Sequence, residues 1–259
     1  MRKLLIALAL GLFCAAAVCA QKKQSDREFE GLKGPVKSVS VERAMLKDEA
    51  GRQVEGRRVV ENSATYNAEG NRVNDEWYDD GELFTKNVYS YDEGIKAVES
   101  HVAYPTITLP AIPAKDGRPA QPAFTTKGSP RPMQRAFEKH KYKYDAGGNI
   151  KELSIETQGR VRRRSVFTLK GRRKEMLSYE GGKDLDFRRV ETLDAQGNVV
   201  ESVEVETKVE DGETKYSFTA YESDARGNWV KRVKSEWTTE GGKPRYVPFQ
   251  VEYRTIVYF

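Results

Sequence analysis

The chain is poor in the residues on which most protein chemistry is built. Both of its cysteines, Cys14 and Cys19, fall within the first twenty residues. A chain without that segment has no thiol, which excludes disulfides, zinc–thiolate sites and cysteine nucleophiles. Only two histidines occur, His101 and His140. No HxH or HExxH spacing offers them to a metal, and a serine hydrolase would need one of the two as its base. GxSxG, Walker and GxGxxG motifs are absent as well, so no cofactor is expected. A strong charge of one sign is also missing. The formal charge is +5, or +3 without Arg2 and Lys3, which is too small to point to nucleic acid. With 38% apolar and 32% charged residues, interleaved over most of the length, the core is expected to be thin.

The one long apolar run is at the start. Residues 1–20 read MRKLLIALALGLFCAAAVCA. Arg2 and Lys3 precede an apolar stretch, and Val18 and Ala20 stand at −3 and −1 of a break before Gln21. That is the layout of a secretory signal peptide cleaved between Ala20 and Gln21. Beyond it lie an expected lead-in over 21–33 and a β-hairpin repeat domain over 34–259, with no transmembrane helix. Asp26 to Leu32 reads as a single helical turn, and Met133 to Lys141 as another short helix.

Glycine-containing turns recur along the rest of the chain. Asp145-Ala146-Gly147-Gly148-Asn149 returns at Asp194 to Asn198 (Gly197) and at Asp224 to Asn228 (Gly227), and Asn67 to Asn71 is the same unit with Asn first. Asp or Asn at the first position of a type I turn caps the backbone, and Gly at the fourth takes the left-handed conformation. This is the loop that closes an antiparallel hairpin. Between turns the side chains alternate. Val203 and Val205 oppose Ser202 and Glu204, and Trp229, Val233 and Trp237 fall on one side. Val247, Phe249, Val251, Tyr253, Thr255, Val257 and Phe259 form one long apolar side, as expected of half-buried strands. The fold class that follows is all-β: an antiparallel β-meander of repeated hairpins, curled or folded into a two-layer or partly closed sheet.

The segment from His140 to Ile155, HKYKYDAGGNIKELSI, resembles the YD-repeat unit of the Rhs family. Tyr142, Tyr144, Asp145, Gly148, Asn149 and Ile150 fall at its signature positions, and Tyr89, Tyr91 and Asp92 echo it. Large members of that family curl their repeats into a β shell. The resemblance therefore implies β-hairpin repeats and export, and carries no catalytic residue.

Two further features ask for a role. Seven of the ten prolines lie within Tyr104 to Pro132, which reads as an inserted loop in the range 104–132, because proline cannot donate to a strand ladder. Arg160, Arg162 and Arg164 open one strand, and Arg172, Arg173 and Lys174 open the next. Together they could bind a polyanion of the envelope, or form a charged face that blunts edge pairing. No catalytic residue and no metal ligand can be named. The expectation is an exported, non-catalytic bacterial scaffold, secreted or periplasmic, binding an envelope polymer or a protein. The alternatives are an outer-membrane β-barrel, suggested by the alternating strand that ends in Phe259, and a hydrolase acting through two carboxylates.

Overall fold

The computed structural model describes residues 22–92, 95–102, 107–109, 124–126, 136–210, 212–240 and 243–259. Ala20 and Gln21 lie outside them, as does most of the proline-rich segment. A helical turn, α1 (Asp26–Phe29), is followed by β1 (Val36–Glu49), β2 (Arg52–Tyr66), β3 (Arg72–Asp79), β4 (Glu82–Asp92) and β5 (Ile95–Val102). Within the proline-rich region β6 (Ile107–Leu109) and β7 (Phe124–Thr126) pair with each other as a separate two-stranded sheet. Next come β8 (Ala136–Tyr144), β9 (Ile150–Thr157), β10 (Arg160–Lys170), β11 (Arg173–Glu180) and β12 (Asp184–Leu193). The chain ends with β13 (Val199–Glu206), β14 (Glu213–Ser223), β15 (Trp229–Glu240) and β16 (Lys243–Tyr258).

Fourteen of these strands form one closed antiparallel barrel, each paired to its neighbour in sequence except where β5 meets β8. Closure is made by β1 against β16, in register from Val36 opposite Tyr258 to Met45 opposite Gln250. The meander therefore does not stop at a curled or layered sheet: the last strand returns to the first and leaves no edge.

Of Met133 to Lys141, the described residues are not helical. They belong to β8, where Phe137, Lys139 and Lys141 alternate with Glu138 and His140 at strand spacing. Asp26 to Phe29 does form a helical turn. Ser25 accepts from the Glu28 amide at 3.3 Å while Glu28 accepts from the Ser25 amide at 2.9 Å. That reciprocal capping box satisfies donors that so short a helix would leave bare.

The four strict turns, the β4–β5 and β10–β11 connections, and both ends of the barrel sheet lie at one mouth, the turn mouth. The far mouth receives the longer β5–β8 connection. Which wall faces the lumen follows from register, because directly opposed residues project from the same face. The residues touched by the N-terminal segment, Lys96 and Phe167 among them, mark the inside. Tracing cross-strand partners from these puts Asp75, Asn87, Tyr89, Lys96, His140, Ser165, Ser178, Ser202, Arg232, Gln250, Glu252 and Arg254 in the lumen. Val166, Leu177, Val190, Val203, Val205, Val233, Val251 and Val257 face outward.

This reverses the expected packing of the last strand. Its apolar side from Val251 to Val257 lies outside, and Gln250, Glu252 and Arg254 lie inside. A register shift between Lys234 and Ser235 bulges β16 at Phe249, which turns inward onto Tyr216. Trp229 also parts from Trp237: it is 8% exposed and stacks beneath the luminal Arg254. The compact apolar cluster is small and sits at the turn mouth, where Leu32, Val36, Val39, Ala64 and Tyr66 meet.

Candidate functional site

The described lead-in, residues 22–33, crosses the turn mouth from inside. It hydrogen-bonds in succession to all four strict turns. The Gln24 amide donates to Gly148 O at 2.8 Å, and its side chain accepts from the Ile150 amide at 2.9 Å. The Arg27 amide donates to Gly70 O at 3.0 Å. Lys33 Nζ donates to Gln196 O and Gly227 O, each at 3.1 Å, while its backbone exchanges two bonds with the Asn228 side chain at 2.7 and 2.9 Å. The turns are thus more than hairpin closures. In each, the backbone carbonyl of the third or fourth residue is aimed at the segment that plugs the mouth.

The turn chemistry explains that aim. Asp145 Oδ1 accepts from the Gly147 and Asn149 amides at 2.8 and 2.9 Å, and Asp194 and Asp224 repeat the pattern. With the amides tied inward, the left-handed glycines (φ +78° at Gly148, +88° at Gly197, +79° at Gly227) leave their carbonyls free.

Below the rim the plug is held by charge. Asp26 receives Lys96 Nζ at 3.0 Å, Tyr91 Oη at 2.5 Å, Tyr142 Oη at 3.3 Å and the Arg72 amide at 2.8 Å. Burial pushes the Asp26 carboxyl up, but the Lys96 charge and these donors outweigh it and hold the group below the usual carboxylate range. Glu30 accepts from Tyr66 Oη at 2.5 Å and pairs with the Arg72 guanidinium. Arg72 also reaches Asp75 at 2.6 Å, and Asp75 accepts from Asn87 at 2.7 Å and Tyr89 at 2.6 Å. Phe29 adds an apolar anchor, edge-on to Phe167 at 4.9 Å. Lys96 is 4% and Asp75 3% exposed. Such groups are tolerated in a packed interior only when paired and hydrogen-bonded, as they are here.

The arginines singled out by sequence are not gathered. Arg160 opens β10 at the far mouth, whereas Arg172 and Arg173 sit at the turn mouth. Arg164 faces outward and stacks on Tyr179 at 4.4 Å; Arg162 is the extra residue of a bulge between Val161 and Arg163. Lys174 faces the lumen, 3.6 Å from Glu191 and over the Phe29 ring. His140 is luminal, 3.4 Å from Glu138; the His101 side chain is outside the described ones. Among the described residues no three His, Cys, Asp or Glu side chains are grouped to hold a metal ion. Sequence reasoning missed Asp26, Glu30, Lys96 and Arg72. The Ser25-x-x-Glu28 capping box, opening an acidic turn just ahead of the first strand, was the signal available.

No family model matches the chain, and no curated protein matches it. Among solved structures, a porin-like protein from Bacteroides uniformis is similar over 87% of this chain and 98% of its own, at 10% identity and a TM-score of 0.46. At that distance the likeness carries no inference, and the functional reading rests on the chain's own geometry.

Proposed function

We propose that the protein is a non-catalytic β-barrel of the bacterial outer membrane, exported by its N-terminal signal and closed at one mouth by residues 22–33. The observation that carries this reading is the inversion of the walls. β13, β15 and β16 set Ser202, Glu204, Arg232, Lys234, Gln250 and Glu252 in the lumen and Val203, Val205, Val233 and Val257 outside. A barrel in water buries its apolar side; one in lipid exposes it and keeps a polar lumen. Near the far mouth Tyr78, Tyr179, Trp237 and Tyr246 face outward, beside the outward Leu83 and Leu185, where a barrel's aromatic girdle belongs. An even strand number, and both ends of the barrel sheet at the mouth opposite the long β5–β8 connection, fit the same plan.

A second reading has its own observation. The outer wall from β3 to β10 carries ion pairs: Glu76 with Lys86 at 2.7 Å, Lys141 with Glu156 at 2.8 Å and Lys143 with Glu152 at 2.7 Å. Lys or Arg facing lipid at mid-membrane costs roughly 2–4 kcal/mol each. That sector favours a barrel bathed in periplasmic water or covered by another protein. Light scattering of the chain lacking residues 1–20 separates the two. The membrane reading expects a monodisperse species only with detergent, and the second expects one in plain buffer.

A further inference from the structure

Beneath the plug lies a cavity of about 220 Å³. Its wall includes four cations, Lys33, Lys174, Arg232 and Arg254, against two carboxylates, Glu30 and Glu191. Both carboxylates are engaged, Glu30 by Arg72 and Tyr66, and Glu191 by Lys174. Two of the cations are also occupied. Lys33 rests on the carbonyls of Gln196 and Gly227, and Arg232 binds Glu252 at 2.5 Å. Arg254 is different. Its guanidinium lies 3.7 Å over the Trp229 ring and 4.2 Å separates that ring from Arg232, yet Arg254 forms no ion pair among the described residues. Its buried Nε has no hydrogen-bond partner.

A largely buried guanidinium that neighbours Glu30 and Glu252 without a direct ion pair to either is costly, and its planar fork matches the two oxygens of an oxyanion. We propose that this cavity is a seat for a small oxyanion, a carboxylate or phosphate group, gripped by Arg254 with Arg232 beside it. A water molecule's share of liquid volume is about 30 Å³, so the space holds such a group with a few waters. The seat stands whether the outer wall meets lipid or water.

Trp229 lies under the guanidinium and reports on it. The chain lacking residues 1–20, carrying Trp77→Phe and Trp237→Phe, is titrated with inorganic phosphate and, separately, acetate. Ionic strength is held constant with chloride and Trp229 fluorescence is read. A saturable change is expected with one or both anions. A response to phosphate alone assigns a phosphate seat; a response to acetate as well extends it to carboxylates. Arg254→Met should weaken binding at least about tenfold, which is ~1.4 kcal/mol, while the exposed Lys170→Gln leaves it unchanged. If Arg254→Met does not fold, Arg254→Lys keeps the charge but loses the fork, and must still lower the affinity. No saturable change with either anion, or affinity unchanged in the foldable Arg254 variant, overturns the proposal.

Discussion

Gly70 and Gly197 occupy the same place in the same turn, with φ of +89° and +88°, yet they do different work. A Cβ at Gly197 meets nothing within 4 Å, whereas one at Gly70 comes to 2.7 Å from Ser25 Oγ and 3.1 Å from the Arg27 guanidinium carbon. Gly197→Val should therefore cost only the left-handed backbone, about 1–2 kcal/mol by thermal melting. Gly70→Ala should in addition loosen the plug, seen as new tryptic cleavage after Arg27 and Lys33 while the barrel stays intact. Equal proteolysis of the two variants would remove the close approach from the account. Asp26→Asn tests the charge that holds the plug. It strands Lys96, whose side chain is 5% exposed, and breaking a buried pair costs on the order of 3 kcal/mol. The same tryptic sites should open. The pH dependence has a definite sign. The Asp26 carboxyl is lowered on folding, so its contribution is full above the ordinary carboxylate pKa near 4 and is lost as pH falls through the folded value. Pepsin should therefore cut at Phe29 only well below pH 4. Cleavage at Phe29 already at pH 5 would remove the Asp26 charge from the account.

At the scale of elements, β16 has two partners, β15 and β1, and is the strand that closes the barrel. A chain truncated after Val247 keeps its hairpins but exposes the unpaired ladder of β1, a template for aggregation. It should lose its cooperative melting and aggregate, as followed by circular dichroism and scattering. A truncation that still melts cooperatively would make β16 an appendage. These elements were largely legible in sequence, because Asp-Ala-x-Gly-Asn turns and period-two alternation act locally. Alternation states which residues share a face and leaves open which face is inside, so Val251 and Glu252 could be told apart but not oriented. Bulges, those at Arg162 and Phe249 among them, add one residue each and flip the parity. His140 to Tyr144 alternates as a strand in sequence, but its first half from Ala136 was hidden behind a prolines-then-charges stretch that mimics a short helix. The site was illegible for a different reason: Asp26 meets Lys96 and Tyr142 only after the barrel closes.

For the whole molecule, what touches the outer wall decides between lipid and water. The described residues hold nearly as many buried polar side chains as buried apolar ones, and the outer wall is divided, with valines on β13, β15 and β16 and ion pairs from β3 to β10. Trp237 probes this most directly. It faces outward near the far mouth and is 43% exposed, while Trp229 is enclosed. The measurement is fluorescence quenching of a single-tryptophan chain (Trp77→Phe with Trp229→Phe) reconstituted in vesicles of phospholipid brominated along the acyl chain. The membrane account predicts strong quenching of Trp237, and none of Trp229 in the matching variant that keeps it. An unquenched Trp237, in a chain that stays monodisperse in plain buffer, would contradict it.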